Sequence, residues 1–274
     1  MFRKLLIPVD LSPQSLMMVD IAIGMREYGV FDLVVYSAVQ SGPAHEEMLE
    51  IVGRKLTTAG MKHELVVQTS KDPAKSILKV SGSRGITMVA MAASGKGRMK
   101  EFFVGSTSMD VIRGAKVPVL LGKFPMSADT DPEGYCRNCP RLLERLLVTL
   151  DLSKVSRHMQ PYVQGMIDAG VKNITLFHVV QARQYKMDDD ERFKEVRVKL
   201  EEFRDHLVIK NCNVDIHMHF GTTTYNILEA AREIDATLIV LGTTGKSYLR
   251  GTTLGSTSEE VVKGSTRPVL LIPG

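Results

Sequence analysis

Cysteine is scarce in this chain, three among 274 residues. An odd and small number argues against a secreted disulfide framework and for a reducing compartment. No window approaches the roughly 18 consecutive apolar residues of a membrane helix. The opening MFRKLLIPVDLS is interrupted by Pro8 and Asp10, leaving an apolar run too short for a signal-peptide core. A cytoplasmic chain without a membrane partner is therefore expected. Massed positive charge is missing as well: 35 Lys and Arg against 31 Asp and Glu give a formal charge of +4, spread along the chain. That distribution lacks the basic stripe of a nucleic-acid binder.

What the sequence does have is repetition. KLLIPVDLS (Lys4 to Ser12) returns as RLLVTLDLS (Arg145 to Ser153), an offset of 141 that equates Asp10 with Asp151. From Met91 to Leu121 the match to Leu241 to Leu271 runs at an offset of 150 without a gap, sharing GSTS and PVLL. Two homologous halves follow, residues 1–123 and 141–274. The stretch 124–140, rich in Pro, Gly, Ser and Asp, reads as a linker. The offset grows by nine between the two blocks, and the added length is assigned to the charged helix around MDDDERFKEVRVKLEEFRDHL.

Each half alternates short apolar runs with helical segments. In the first, Leu5 to Val9 suits a strand buried on both faces. Ser12 then has the character of an N-cap, with Pro13 at the first helical position, where a missing N–H costs nothing. The helix is expected to reach about Tyr28. Strands over Phe31 to Val39, Glu64 to Thr69, Thr87 to Ala92 and Pro118 to Leu121 alternate with helices over Ala44 to Thr58, from Asp72 and Pro73, and from Ser106 to Arg113. The βαβ crossovers predict a parallel sheet with helices on both faces. The second half repeats the pattern, with Pro161 expected to kink its first helix or delay the start.

In open sheets of this kind ligands sit beyond the carboxyl ends of the strands, where strand order reverses. Asp10 and Asp151 end the first strands, and a glycine-punctuated loop follows the fourth strand in each half. GTTGKSYLRGTTLGST (Gly242 to Thr257) has the parts of a phosphate cradle. Its glycines permit positive φ and close approach, and a helix opening near Ser256 offers unpaired N–H groups. Hydroxyls of Ser256, Thr257 and Ser258 add donors, and Lys246 and Arg250 add charge. A P-loop is excluded because Val240 stands where its first glycine belongs, and no GxGxxG follows either first strand.

The spacing G-x2-G-x9-G-(S/T) after a fourth strand, the VD-x-S start and the closing PVLL together resemble the universal stress protein family, here as a tandem protein. The resemblance covers nearly the whole chain apart from the linker and the enlarged helix. It implies two flavodoxin-like, adenine nucleotide alpha hydrolase-like domains, each with a five-stranded parallel sheet. One branch of the family binds ATP, and the resemblance implies a regulatory, non-catalytic ATP-binding protein of stress response, with slow hydrolysis at most. It further implies that Asp151 contacts the nucleoside and that backbone near Val179 reads adenine. Leu241, Gly242, Gly245 and Gly255 to Ser258 would take ribose and phosphates, with or without magnesium. The matching positions in the first half are Asp10, Ala38, Ala92 to Gly95 and Gly105 to Ser108, so that Gly95, Gly105 and Ser106 would line its site.

The first copy departs from the second in three ways. Ala92 replaces the leading glycine, Glu101 places a negative charge near the phosphates, and Phe102 and Phe103 add apolar bulk, although Lys96, Arg98 and Lys100 remain. If that leading glycine needs positive φ, alanine costs on the order of 1 kcal/mol. Nucleotide is therefore expected mainly in the second half. Cys136 and Cys139 have the spacing of half a zinc site, which Cys212, His217 and His219 would complete; a linker pair is the simpler account. The alternative function left open is a nucleotide-independent interaction scaffold, zinc- or redox-linked through that CxxC. The apolar last strands, Pro118 to Leu121 and Pro268 to Leu271, invite edge pairing. The resemblance implies that they pair across the two halves as a pseudo-dimer, with further homodimerisation open.

Overall fold

The computed structural model describes residues 2–38, 42–93, 104–124, 142–152, 156–181, 189–243 and 254–274. The chain divides into two compact units, Met1–Leu142 and Leu143–Ile272. From residue 125 on, the expected linker lies outside the described residues, as do both glycine-loop centres, 94–103 and 244–253.

Unit 1 runs β1 (Lys4–Pro8), α1 (Pro13–Gly24), a 3-10 turn (Met25–Tyr28), β2 (Asp32–Ser37), α2 (Pro43–Thr58), β3 (Lys62–Val67), α3 (Pro73–Ser83), β4 (Met88–Ala92), α4 (Ser106–Gly114) and β5 (Val119–Gly122). Its strands lie in the order β3-β2-β1-β4-β5, and each described pairing is parallel. Unit 2 repeats this with β6 (Arg145–Thr149), α5 (Ser156–Asp168), β7 (Asn173–Val180), α6 (Asp189–Asp205), β8 (Asn213–Phe220), α7 (Thr223–Glu233), β9 (Leu238–Gly242), α8 (Ser256–Gly264) and β10 (Val269–Ile272). Its order is β8-β7-β6-β9-β10, again parallel. Strand order reverses between β1 and β4, and between β6 and β9. Right-handed crossovers in opposite directions put α1 and α2 on one face of the first sheet, α3 and α4 on the other.

Central strands are apolar throughout because both faces are covered: Leu5, Leu6 and Ile7 of β1 have no exposed surface. A threonine fixes the register of the two middle strands. Thr87 Oγ1 accepts from Lys4 N–H (3.0 Å) and donates to the Lys4 carbonyl (2.9 Å). Thr237 does the same with Arg145, at 2.9 and 3.0 Å. At the other end of β1, Ser12 Oγ accepts from Ser15 N–H (3.3 Å) and caps α1, with Pro13 in the first turn. Asp72 caps α3 in the same manner, accepting from Lys75 N–H at 3.0 Å.

Two details differ from expectation. The first helix ends at Gly24 and tightens into a 3-10 turn that closes on Gly29 at φ +90, a conformation that suits glycine. The charged helix of unit 2 is not enlarged: α6 has 17 residues against 16 in α2. The additional residues fall in the segments flanking it, 181–188 and 206–212, and in a longer β7. Among the described residues no helix is long and apolar enough to cross a membrane.

Candidate functional site

Pairing register brings the predicted residues to one rim. Pro8 pairs with Tyr36, and Val9 N–H bonds the Tyr36 carbonyl at 2.8 Å, so Asp10 stands level with Ala38. Leu6 pairs with Val89, which places Ala93 at the same level on the other side. In unit 2, Thr149 pairs with Phe177 and Val148 with Val240, so Val179, Asp151 and Thr243 occupy the equivalent row. Neighbouring strands are about 5 Å apart. The carboxylate, the backbone expected to read a base and the start of the glycine loop thus face one crevice in each unit.

The far end of the loop returns to the same row. Gly105 N–H donates to the Ala93 carbonyl (2.8 Å) and Gly255 N–H to the Thr243 carbonyl (2.7 Å). Helices α4 and α8 start immediately after, and neither N-cap glycine supplies a side-chain cap. The N–H groups of their first turns point out of the helix without intrahelical partners, next to the positive end of the dipole. Ser106 and Ser256 are exposed at this point, and Thr107 and Thr257 are half-buried.

A further hydroxyl in each motif is already committed. Ser258 is buried and its Oγ donates to the Gly242 carbonyl at 2.8 Å; Ser108 donates to Ala92 at 3.1 Å. A serine hydroxyl has one proton to give. These serines tie the last helix to the fourth strand, and the donors remaining for an anion are the backbone, Ser256 and Thr257.

The aspartate turn is built by backbone strain. Leu11 and Leu152 follow the two aspartates at φ +59 and +57, the left-handed region. For a residue with a Cβ that costs about 1–2 kcal/mol. The turn brings Ser12 back so that its N–H and Oγ donate to Asp10 Oδ1 at 3.0 and 2.5 Å. Burial pushes the Asp10 pKa up, but the hydrogen bonds from Ser12 and Ser15 outweigh it and hold the carboxyl below 3.8. In unit 2, buried His178 adds a second brace, its Nδ1–H donating to the Leu150 carbonyl at 2.5 Å. The repeated D-L-S in both copies was the only sequence trace of the strained leucine.

Two expectations are corrected by the backbone. Gly242 is the last residue of β9, paired with Ile272, and is absent from the positive-φ glycines; Gly255 has φ −72 and Gly105 φ −65. The strain expected for Ala92 therefore does not arise, since an extended strand end accepts any residue. Two members of the candidate zinc set, Cys136 and Cys139, lie outside the described residues; among the described ones no group of three His, Cys, Asp or Glu could hold a metal. His219 instead packs edge-on against Phe177, ring centres 5.1 Å apart. Cys136, Cys139, Gly95, Gly245, Lys246 and Arg250 lie outside the described residues.

Comparison with known proteins agrees with this architecture. The profile of the universal stress protein family matches residues 27–123 and 143–273. An uncharacterized protein of Schizosaccharomyces pombe is 28% identical over 145 residues, 49% of this chain and 23% of that protein. A universal stress protein of Methanocaldococcus jannaschii is 36% identical over 89 residues, 32% of this chain and 47% of that one. This chain thus spans half or less of the length of these two relatives. The crystal structure of a universal stress protein from Archaeoglobus fulgidus superposes with a TM-score of 0.73 at 26% identity, covering 98% of each chain. With two profile matches on two copies of one five-stranded fold, the chain belongs to the universal stress protein family as a tandem of two of its domains.

Proposed function

We propose that this protein is an adenine-nucleotide-binding regulator of stress response that takes ATP, with magnesium on its phosphates, mainly in unit 2. The observation that carries it is the single row of Val179, Asp151 and Thr243, one hydrogen bond from the open N-terminus of α8. Peptide groups at Val179 would read the adenine edge, and Asp151 would accept from ribose hydroxyls. The N–H groups of Ser256 and Thr257, with their hydroxyls, would hold phosphate oxygens. Both loops keep basic residues, and the preference for unit 2 rests on Glu101, Phe102 and Phe103, which stand in unit 1 where unit 2 has Gly251, Thr252 and Thr253.

Binding with a conformational readout is proposed rather than turnover. A carboxylate engaged by Ser12 and held below its ordinary pKa is a weak proton acceptor, so Asp10 is poorly suited to activating water. Ordering of the glycine loop around a triphosphate would change the outer surface that a partner meets.

Calorimetric titration of the unmodified chain with Mg-ATP should give one to two sites. Asp151→Ala should weaken the tighter one about tenfold or more, the worth of a charge-assisted hydrogen bond. A chain that binds no adenine nucleotide, and copurifies with none, would rule this function out.

A further inference from the structure

The two copies differ beneath the base position. In unit 1, β2 and α2 each present an apolar row to the layer between them. Along β2 the row is Leu33, Val35 and Ser37; register aligns it with His63, Leu65 and Val67 of β3, and a Cβ on Gly53 of α2 would meet Leu65 and His63. Along α2 the buried row is Leu56, Val52, Leu49 and His45, at helical spacing. Both rows are apolar until their last rung, and both end polar at the carboxyl edge of the sheet. Ser37 is fully buried and His45 is 8% exposed, yet among the described residues neither Ser37 Oγ nor His45 Nε2 has a hydrogen-bond partner.

Unit 2 settles the same places differently. His178 takes the position of Ser37 and bonds the Leu150 carbonyl, and nearer the start of α6 Phe193 packs on Phe220 with the rings tilted by 41° and their centres 4.4 Å apart. A serine in place of that imidazole has several fewer heavy atoms. Unpartnered buried polar atoms destabilise a free protein. Two of them, both on the side of the sheet covered by α2 and one of them next to Ala38 in the chain, are explained if a ligand completes them.

We infer that Ser37 and His45 form a side-chain reading element for a nucleobase in unit 1, accepting and donating at a polar edge of the base beside the one met by the Ala38 backbone. This rests on the nucleotide-binding function proposed above and adds that the two units select their base by different means. Unit 1 uses a hydroxyl and an imidazole that the free protein leaves unsatisfied. Unit 2, where His178 is turned to the Leu150 carbonyl, relies on backbone alone.

The test uses the full chain carrying Asp151→Ala, which leaves unit 1 as the stronger site, titrated calorimetrically with ATP, GTP, ITP and CTP. The best and worst bases should differ by about tenfold or more, as sites with buried hydrogen-bonding groups discriminate. Ser37→Ala and His45→Leu should each weaken the best-bound nucleotide by roughly five- to tenfold and leave the worst-bound one within about twofold. Both should also raise the melting temperature of the nucleotide-free protein, because each removes an unsatisfied buried atom. A residue kept only for the fold, or for a trapped water, would do the reverse, so a lowered melting temperature in Ser37→Ala overturns the inference. Unchanged affinities in both variants overturn it as well, and so does a unit 1 that binds no nucleotide in a chain whose unit 2 does. Loss of binding at both units of the unmodified chain would instead remove the function on which it rests. Ser37→Ala removes one oxygen and stands as the decisive variant if His45→Leu fails to fold.

Discussion

Lys123 carries a charge into the interior directly after β5, with 1% of its surface exposed. Burial lowers its pKa from 10.5 to about 8. Below pH 8 the lysine is charged in both the folded and the unfolded chain, and the folded state bears the full desolvation cost. Between pH 8 and 10.5 the unfolded chain holds more protons, so stability rises with pH across that window. At about 1.4 kcal/mol per pH unit the gap is worth roughly 3 kcal/mol as an upper figure. Lys123→Met should therefore show a flatter stability profile from pH 8 to 10.5 than the parent. Equal slopes in denaturant titrations across that range would show that Lys123 does not titrate there. Other residues show how one backbone need is met by different side chains. The left-handed turn before the fourth strand is Gly85 in one copy and Asp235 in the other, at φ +64 and +48. Asp235 recovers part of the strain by accepting from Arg145 at 2.6 Å and Arg267 at 2.8 Å.

At the scale of elements, small residues decide how closely the last two helices of each unit pack. A Cβ on Gly114, which ends α4, would overlap Leu78 of α3; on Gly264 of α8 it would lie 3.0 Å from Leu228 of α7. Gly114→Val should destabilise the protein by about 1–3 kcal/mol through overpacking, measured by urea unfolding. Gly264→Ala should cost less, since the leucine tip has only tenths of an ångström to move. A Gly114→Val midpoint equal to the parent's would mean that α3 and α4 separate freely. The strands were legible in the sequence, because strands buried on both faces leave continuous apolar runs, and their flavodoxin-like order was implied by the family resemblance. Helix starts were legible where a side chain caps them, as at Ser12-Pro13 and Asp72-Pro73. The edge strand β3 begins and ends two residues earlier than expected, since Lys62 and His63 on an exposed edge give no hydrophobic signal. Gly242 was misread for a related reason: glycine allows positive φ without requiring it, and only the pairing with Ile272 settles the matter. The roles of Ser108 and Ser258 depend on a carbonyl sixteen residues away, which spacing alone does not disclose.

Across the whole molecule the two copies share a frame and differ at the rim. If unit 2 is the principal site, saturating ATP should protect its amides unequally from hydrogen exchange. At a ligand concentration of 100 Kd the linkage is about 2.7 kcal/mol, roughly a hundredfold in protection. Peptides spanning 148–152 and 254–260 should slow by up to that amount, and their counterparts at 7–11 and 104–110 by much less. Equal protection in both halves would assign the two sites equal affinity and contradict a preference for unit 2. The location of the crevice was foreseeable from the repeat, since the aspartates and glycine loops recur at fixed offsets. The lack of partners for Ser37 and His45 among the described residues was not, because both look like ordinary polar residues until their partners are sought.

The alignment of Ala38, Asp10 and Ala93 in one row also governs where this chain tolerates a change of length. Side chains alternate along a strand, so deleting a single residue within β1 would turn Asp10 toward the opposite face and slide it out of line with both neighbours. Gaps inside the inner strands would therefore be lethal to the crevice. The nine residues that the second copy gained lie where the offset changes, largely in the stretches to either side of α6, outside the inner strands, so the aspartate's bearings stay unchanged.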